Sequence, residues 1–273
     1  MQNIQLNDGH VIPQIGFGVF RTQDGEECLN AVKWALEAGY RHIDTAKAYE
    51  NEGSVGKAIR ESGIPREEIF LTTKLWNADT RAKNAREALE RSLDLLQTDY
   101  VDLYLIHWPT ENREVAWADM EELQAEGKIR SIGVSNFMVH HLQELAKTAK
   151  VVPAINQIES HPYFNNRDLI DYCREKGITV EAWSPLGGSR TTSIRDDETI
   201  NAIAQKYNKS AAQVIIRWHL QRDIVVLPKS VHEDRIYQNI DVFDFELTAE
   251  ECEMIAALDR GARVGSHPDH FKF

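Results

Sequence analysis

Short apolar runs alternate with longer helical patterns along this chain, and that alternation leaves very few architectures open. Eight runs occur, at 15–19, 42–45, 69–75, 101–108, 129–134, 154–158, 179–183 and 224–228. Runs such as Val101-Asp-Leu-Tyr-Leu-Ile are apolar at nearly every position, as strands covered on both faces of a parallel sheet are. Between them the spacing predicts helices over 26–38, 80–97, 115–126, 168–176 and 199–207. Within 80–97, Ala85, Ala88, Leu89, Ser92, Leu93 and Leu96 share one face. Gly39, Gly63, Gly127 and Gly177 stand where a glycine would stop a helix. Asn7-Asp8-Gly9, between Ile4 and Leu6 on one side and Val11 and Ile12 on the other, predicts an N-terminal hairpin. Eight strand–helix units with no linker predict a single α/β domain over 1–273, a closed (β/α)8 TIM barrel. A doubly wound sheet is the competitor. Against it, Gly16-Phe-Gly18-Val-Phe-Arg21 lacks the third glycine of a dinucleotide turn and runs into Thr22-Gln-Asp-Gly rather than a helix.

Charge narrows the function classes. Lys plus Arg number 31 against 43 Asp plus Glu, a formal charge of −12. That argues against nucleic acid or an anionic membrane as partner, while leaving a local basic cleft open. Cys28, Cys173 and Cys252 are odd in number and far apart, so neither a disulfide framework nor a cysteine zinc site is expected. No run approaches the ~18 apolar residues of a membrane-spanning helix. The opening residues are neither basic nor apolar, so no secretory signal is expected and a cytoplasmic, reducing location is.

In a barrel of this kind chemistry sits at the C-terminal ends of the strands. There the second run offers Asp44, with Tyr49 just beyond, the third offers Lys74 and Trp76, and the fourth offers His107 and Trp108. Singly, each has an ordinary structural explanation: an aspartate caps a helix, a tyrosine packs, a histidine bonds to backbone. A lysine ending an apolar strand is harder to dismiss, because a buried ammonium needs a partner, and Asp44 is the nearby carboxylate. Together the four make an acid site. An ammonium beside the Tyr49 phenol is expected to lower its pKa from the usual value near 10, Asp44 would hold the ammonium, and His107 would orient a substrate carbonyl. None of these groups supplies a hydride, so a cofactor must.

At this point the sequence resembles the aldo-keto reductase family. The resemblance rests on Asp44-Thr-Ala-x-x-Tyr49-x-Asn51-Glu52, Thr73-Lys74-Leu-Trp76, Leu105-Ile-His107-Trp108-Pro109, Ile132-Gly-Val-Ser135-Asn136-Phe137 and Pro228-Lys229-Ser230-Val, in register across the chain. It implies reduction of small aldehydes and ketones with NADPH, with Asp44, Tyr49, Lys74 and His107 as the catalytic set and Tyr49 as general acid. It further implies that Ser135, Asn136 and Gln157 hold the nicotinamide carboxamide and that Trp183 stacks on the ring. Taken alone, Trp183 and Gln157 read equally as a core aromatic and a buried amide satisfied by backbone. The loop with Ser184, Leu186 and Gly187 would approach the pyrophosphate. Lys229, Ser230, Val231, Arg235, Gln238 and Asn239 would hold the adenosine end, with the two cations reading a 2′-phosphate at a helix start. Gln238 departs from the glutamate of many family members. Phe20, Trp76 and Trp108 would line the substrate pocket.

The short segment after Pro109 and the short tail after Arg263 make the chain similar to the prokaryotic branch with 2,5-diketo-D-gluconate and methylglyoxal-type reductases. An open pocket and a monomer are expected. Two other readings compete: a barrel that binds cofactor but serves a regulatory role without turnover, and a metal-dependent barrel hydrolase. The first is disfavoured by the complete set of four residue types. The second needs clustered ligands, and His42 with Asp44, two apart on one strand, are the only pair to consider; no metal is expected.

Overall fold

In the computed structural model, which describes residues 2–188 and 194–273, the hairpin forms the floor. Strands β1 (Asn3–Gln5) and β2 (Val11–Pro13) pair antiparallel, with Ile4 opposite Ile12. Leu6 and Ile12 are buried with Phe70, Ala154, Ile155 and Val225, which lie at the starts of barrel strands. The hairpin thus plugs the end opposite the predicted site.

Eight parallel strands follow in sequence order: β3 (Phe17–Gly18), β4 (His42–Asp44), β5 (Phe70–Leu75), β6 (Val101–Ile106), β7 (Ile129–Ser135), β8 (Ile155–Glu159), β9 (Thr179–Trp183) and β10 (Val225–Val226). The ring closes between first and last. Ile15 bridges Val226 in parallel, and Gly16 N and Gly18 N donate to Val226 O and Pro228 O at 2.9 and 3.1 Å. The fold is the (β/α)8 barrel that the alternation predicts. The strands at the seam are shorter than their apolar runs, in part because Pro228 accepts from Gly18 but has no N–H to return.

Around the strands run α1 (Glu26–Glu37), α2 (Glu52–Glu61), α3 (Asn77–Ala82), α4 (Ala85–Leu96), α5 (Arg113–Ala125), α6 (Val139–Leu145), α7 (Arg167–Glu175), α8 (Glu198–Tyr207), α9 (Ala211–Leu220), α10 (Glu233–Ile240) and α11 (Ala249–Ala256). One helix prediction needs correction. The single helix over 80–97 is two, broken where Lys83 takes a left-handed φ of 58°. The buried face of α4 is nonetheless the set read from the spacing, Ala85, Ala88, Leu89, Ser92, Leu93 and Leu96. Helices α2 and α4 meet backbone to backbone at Gly56, where a Cβ would lie 2.3 Å from Leu96 O.

Candidate active site

Three adjacent strand ends and the turn after β4 deliver the predicted acid site. Asp44 ends β4, Lys74 lies one residue before the end of β5, and His107 follows β6 directly. Tyr49 closes a single 3-10 turn, Lys47–Tyr49, beyond β4. Lys74 is wholly buried, and its Nζ donates to Asp44 Oδ1 and Oδ2 at 2.7 and 2.8 Å and to Thr45 O at 2.9 Å. It also lies 3.2 Å from the Tyr49 hydroxyl. The Tyr49 and His107 rings meet edge-on, 5.7 Å between centroids.

Electrostatics correct one expectation. Burial pushes the Tyr49 phenol up to about 12, and Lys74 opposes that rise without reversing it. The phenol therefore keeps its proton at neutral pH. Burial alone would lower Lys74, but Asp44 and Tyr49 raise it above the ordinary range, so it stays an ammonium. His107 falls well below the ordinary value through burial and the nearby Lys74, and is neutral.

Beneath this set lies a layer of buried polar groups. Gln157 Nε2 donates to Asp44 Oδ2 at 2.8 Å and to Glu181 Oε2 at 2.7 Å. The amide is thus satisfied by two carboxyl groups rather than by backbone. Burial, then repulsion from Asp44, pushes Glu181 up to about 8, so it holds a proton at neutral pH. His42 shares the inward face with Asp44; its Nε2 lies 3.1 Å from Thr72 Oγ1 and 3.6 Å from Glu181 Oε1. Burial lowers His42 to about 3. The pair His42 and Asp44 belongs to this hydrogen-bonded interior.

A cavity of about 820 Å³ opens over the set. Asp44, Tyr49 and His107 line it, as do Phe20, Trp76, Trp108, Ser135, Asn136, Gln157, Trp183, Ser184, Leu186 and Lys229. Gly187, Ser230, Val231, Arg235, Gln238 and Asn239 lie outside its wall. Arg235 and Gln238 are exposed on α10, while Ser230 and Asn239 are buried. The first turn of α10 also carries Glu233 and Asp234, which work against an anion at that helix start. Ser135, Asn136 and Trp183 are mutually bonded: Asn136 Nδ2 donates to His107 O and Ser135 Oγ at 3.0 and 3.1 Å, Ser135 Oγ to Gln157 O at 3.0 Å, and Trp183 Nε1 to Asn136 Oδ1 at 2.9 Å.

The Aldo/keto reductase family model matches residues 14–260. The chain belongs to the aldo/keto reductase family. It is 50% identical to the 9,11-endoperoxide prostaglandin H2 reductase of Trypanosoma cruzi (strain CL Brener), over 98% of this chain and 95% of that one. It is 49% identical to the glyoxal reductase of Bacillus subtilis (strain 168), over 99% and 97% respectively. The crystal structure of MGS-M4, an aldo-keto reductase from a Medee basin deep-sea metagenome library, superposes with a TM-score of 0.97 at 45% identity, over 99% of this chain and all of that one. This aldo/keto reductase is an oxidoreductase acting on carbonyl groups.

The tail of this family member forms part of the pocket wall. Phe273 stacks on Trp76 at 5.9 Å and meets Trp108 edge-on at 5.2 Å, and Phe271 also packs on Trp108. Val264, Gly265, Ser266 and Phe273 join the cavity wall. Val264 N and Gly265 N donate to the buried Glu159 carboxylate at the end of β8. A Cβ on Gly265 would fall 2.3 Å from the Trp183 ring. The aromatic pair Phe271 and Phe273 was the available signal, and tail length concealed it. Arg21 and Lys47 on the cavity wall were also missed.

Among the described residues, the one group of three side chains that could share a metal ion is His140, His141 and Asp269, none of which lines the cavity. His141 Nδ1 accepts from Met138 N, so Nε2 carries the proton of the neutral ring and points at Asp269 at 3.2 Å. The cluster is a hydrogen-bonded clasp between α6 and the tail. No helix of the described residues is long and apolar enough to cross a membrane.

Proposed function

We propose that this protein reduces small aldehydes and ketones to alcohols with NADPH, and that Tyr49 is the proton donor. The observation that carries the reading is the 3.2 Å contact between the Tyr49 hydroxyl and a buried ammonium, on the wall of a cavity large enough for a cofactor and a small substrate.

The residues present fit a nicotinamide dinucleotide. The N–H groups of Gln157 and Asn136 and the Ser135 O–H are all donated within the protein. That part of the wall therefore offers acceptors, which suits the NH2 of a carboxamide beside the flat Trp183 indole. Arg21, Lys47 and Lys229 bring three cations to the cavity of an acidic chain, which suits phosphates. Lys229 and the exposed Arg235 would read the 2′-phosphate, with Ser230, Val231, Gln238 and Asn239 around the adenosine.

Bound NADPH would supply the hydride to the carbonyl carbon. Tyr49 passes its hydroxyl proton to the carbonyl oxygen, and the phenolate left behind regains a proton from solvent. Lys74, fixed by Asp44, is already placed to stabilise that phenolate and needs no reorganisation when it forms. Neutral His107 gives the same oxygen a hydrogen bond. Phe20, Trp76, Trp108 and the tail's Phe273 supply the apolar walls. Similarity to the glyoxal reductase supports small aldehydes as substrates; a single-barrel monomer of the 2,5-diketo-D-gluconate reductase branch, acting in the cytoplasm, completes the reading.

The test is loss of NADPH absorbance with methylglyoxal, a nitrobenzaldehyde and a wider carbonyl panel, repeated with NADH. Turnover with NADPH preferred supports the reading. Cofactor binding without turnover across the panel overturns it in favour of a regulatory barrel.

A further inference from the structure

We propose that Glu181 is a positioning residue: together with Asp44 it fixes the Gln157 side chain so that Oε1, not Nε2, faces the cofactor cavity. The inference rests on the nicotinamide reading above and adds a residue to it.

A carboxamide side chain can turn end over end with almost no change in shape, so its orientation is set by its partners. Both Gln157 N–H groups meet carboxyl oxygens, Asp44 Oδ2 at 2.8 Å and Glu181 Oε2 at 2.7 Å. Turned over, Oε1 would face the same two oxygens with no proton between it and Asp44. Asp44 Oδ2 accepts one Gln157 N–H as well as the Lys74 ammonium, which leaves the second N–H to Glu181. Glu181 has no second task. It is wholly buried, and its Oε1 has no hydrogen-bond partner. A buried carboxyl group with one hydrogen bond is costly, and an apolar side chain of that size would pack at less cost. The charged and titratable groups around it are Asp44 and His42 from β4 and Lys74 from β5, with Tyr49 beyond. Of these only Asp44 accepts from Gln157 Nε2, and it takes one of the two N–H groups; none offers the other a replacement acceptor.

The consequence is a specific contact. With Nε2 held, Oε1 is the atom left to accept an N–H from the nicotinamide carboxamide. The acetylpyridine analogue of NADPH has a methyl ketone there and no N–H to give.

Binding of NADPH and of this analogue, followed by tryptophan fluorescence, separates the outcomes. Glu181→Leu is expected to weaken NADPH about tenfold, the worth of one buried hydrogen bond, and the analogue by less than about twofold. Glu181→Gln keeps an acceptor oxygen and is expected to stay within about twofold of wild type for both. If the leucine variant does not fold, Glu181→Thr, too short to reach the amide, takes its place. Equal weakening of both ligands would reduce Glu181 to a general structural role and overturn the inference. Failure of the wild-type protein to bind NADPH at all would instead overturn the reading on which it rests.

Discussion

The Lys74 ammonium stands 3.2 Å from the Tyr49 hydroxyl, and its remaining bonds go to Asp44 and Thr45. The proton donor and the charge that stabilises its conjugate base are therefore in place before substrate arrives. Tyr49→Phe removes the proton and leaves the packing. It is expected to lower kcat for carbonyl reduction by about 10²-fold or more, while NADPH titration by fluorescence still saturates. Wild-type turnover in the phenylalanine variant would remove Tyr49 from the mechanism.

The protonated Glu181 makes a second prediction, about stability. Its pKa rises from 4.5 to about 8 on folding, so between those values the folded chain binds more protons than the unfolded one. The group's contribution is full below 4.5 and is lost as pH rises through about 8. Glu181→Gln has no such loss. Urea unfolding near pH 5 and near pH 9 is expected to show the variant gaining on wild type as pH increases, with the gap levelling off above about 8. Parallel stability profiles would mean that Glu181 is ionised in the folded protein. His42 and His107, held neutral by burial, act in the opposite window, below their ordinary value of 6.5. Their contribution is lost as pH falls, and it is common to both proteins.

The barrel was legible because apolar runs and helix spacing are local, periodic signals. The break at Lys83 was not, since a lysine carries no mark of a left-handed backbone. At the site, Asp44, Tyr49, Lys74 and His107 could be grouped because each falls at or just beyond a strand end, and a barrel converts that position into a shared rim. Glu181 falls in the middle of an apolar strand run. Its alternation places it inside the barrel, but nothing local says which residue across the barrel it meets. The sign of the Tyr49 shift was misjudged for a related reason. The neighbouring charge can be inferred from strand order, whereas the desolvation that outweighs it depends on the whole surrounding wall. The tail failed differently: its place on the pocket wall depends on the anchoring of Val264 and Gly265 by Glu159, which joins residues about a hundred positions apart.

That tail makes the third prediction. Phe273 lies parallel to Trp76, its ring 5.9 Å away, and forms part of the pocket wall. An aryl aldehyde would lie against this surface, while methylglyoxal is too small to use much of it. Phe273→Ala is expected to raise KM for a nitrobenzaldehyde relative to that for methylglyoxal by roughly three- to tenfold, the worth of one aromatic contact. An equal rise for both substrates would show that the ring only closes the mouth.

The last prediction concerns how the cofactor's phosphate is read. Lys229 is exposed on the cavity wall just beyond β10, and its Nζ donates to Arg21 O at 3.3 Å. Arg235 is exposed on α10, beside Glu233 and Asp234. If the two cations share the 2′-phosphate, each contributes a charge-assisted bond that NADH cannot make. Replacing either with alanine is expected to raise KM for NADPH about tenfold and to change KM for NADH by less than about twofold. The two positions need not respond alike. Both are exposed, but Arg235 stands outside the cavity wall beside two carboxylates, where solvent and salt screen it more, so its effect should shrink at high ionic strength more than the Lys229 effect does. Equal losses with NADPH and NADH at both positions would mean that these side chains serve the shared part of the cofactor, and that preference for the phosphate is set elsewhere on the wall, where Arg21 and Lys47 are the remaining cations.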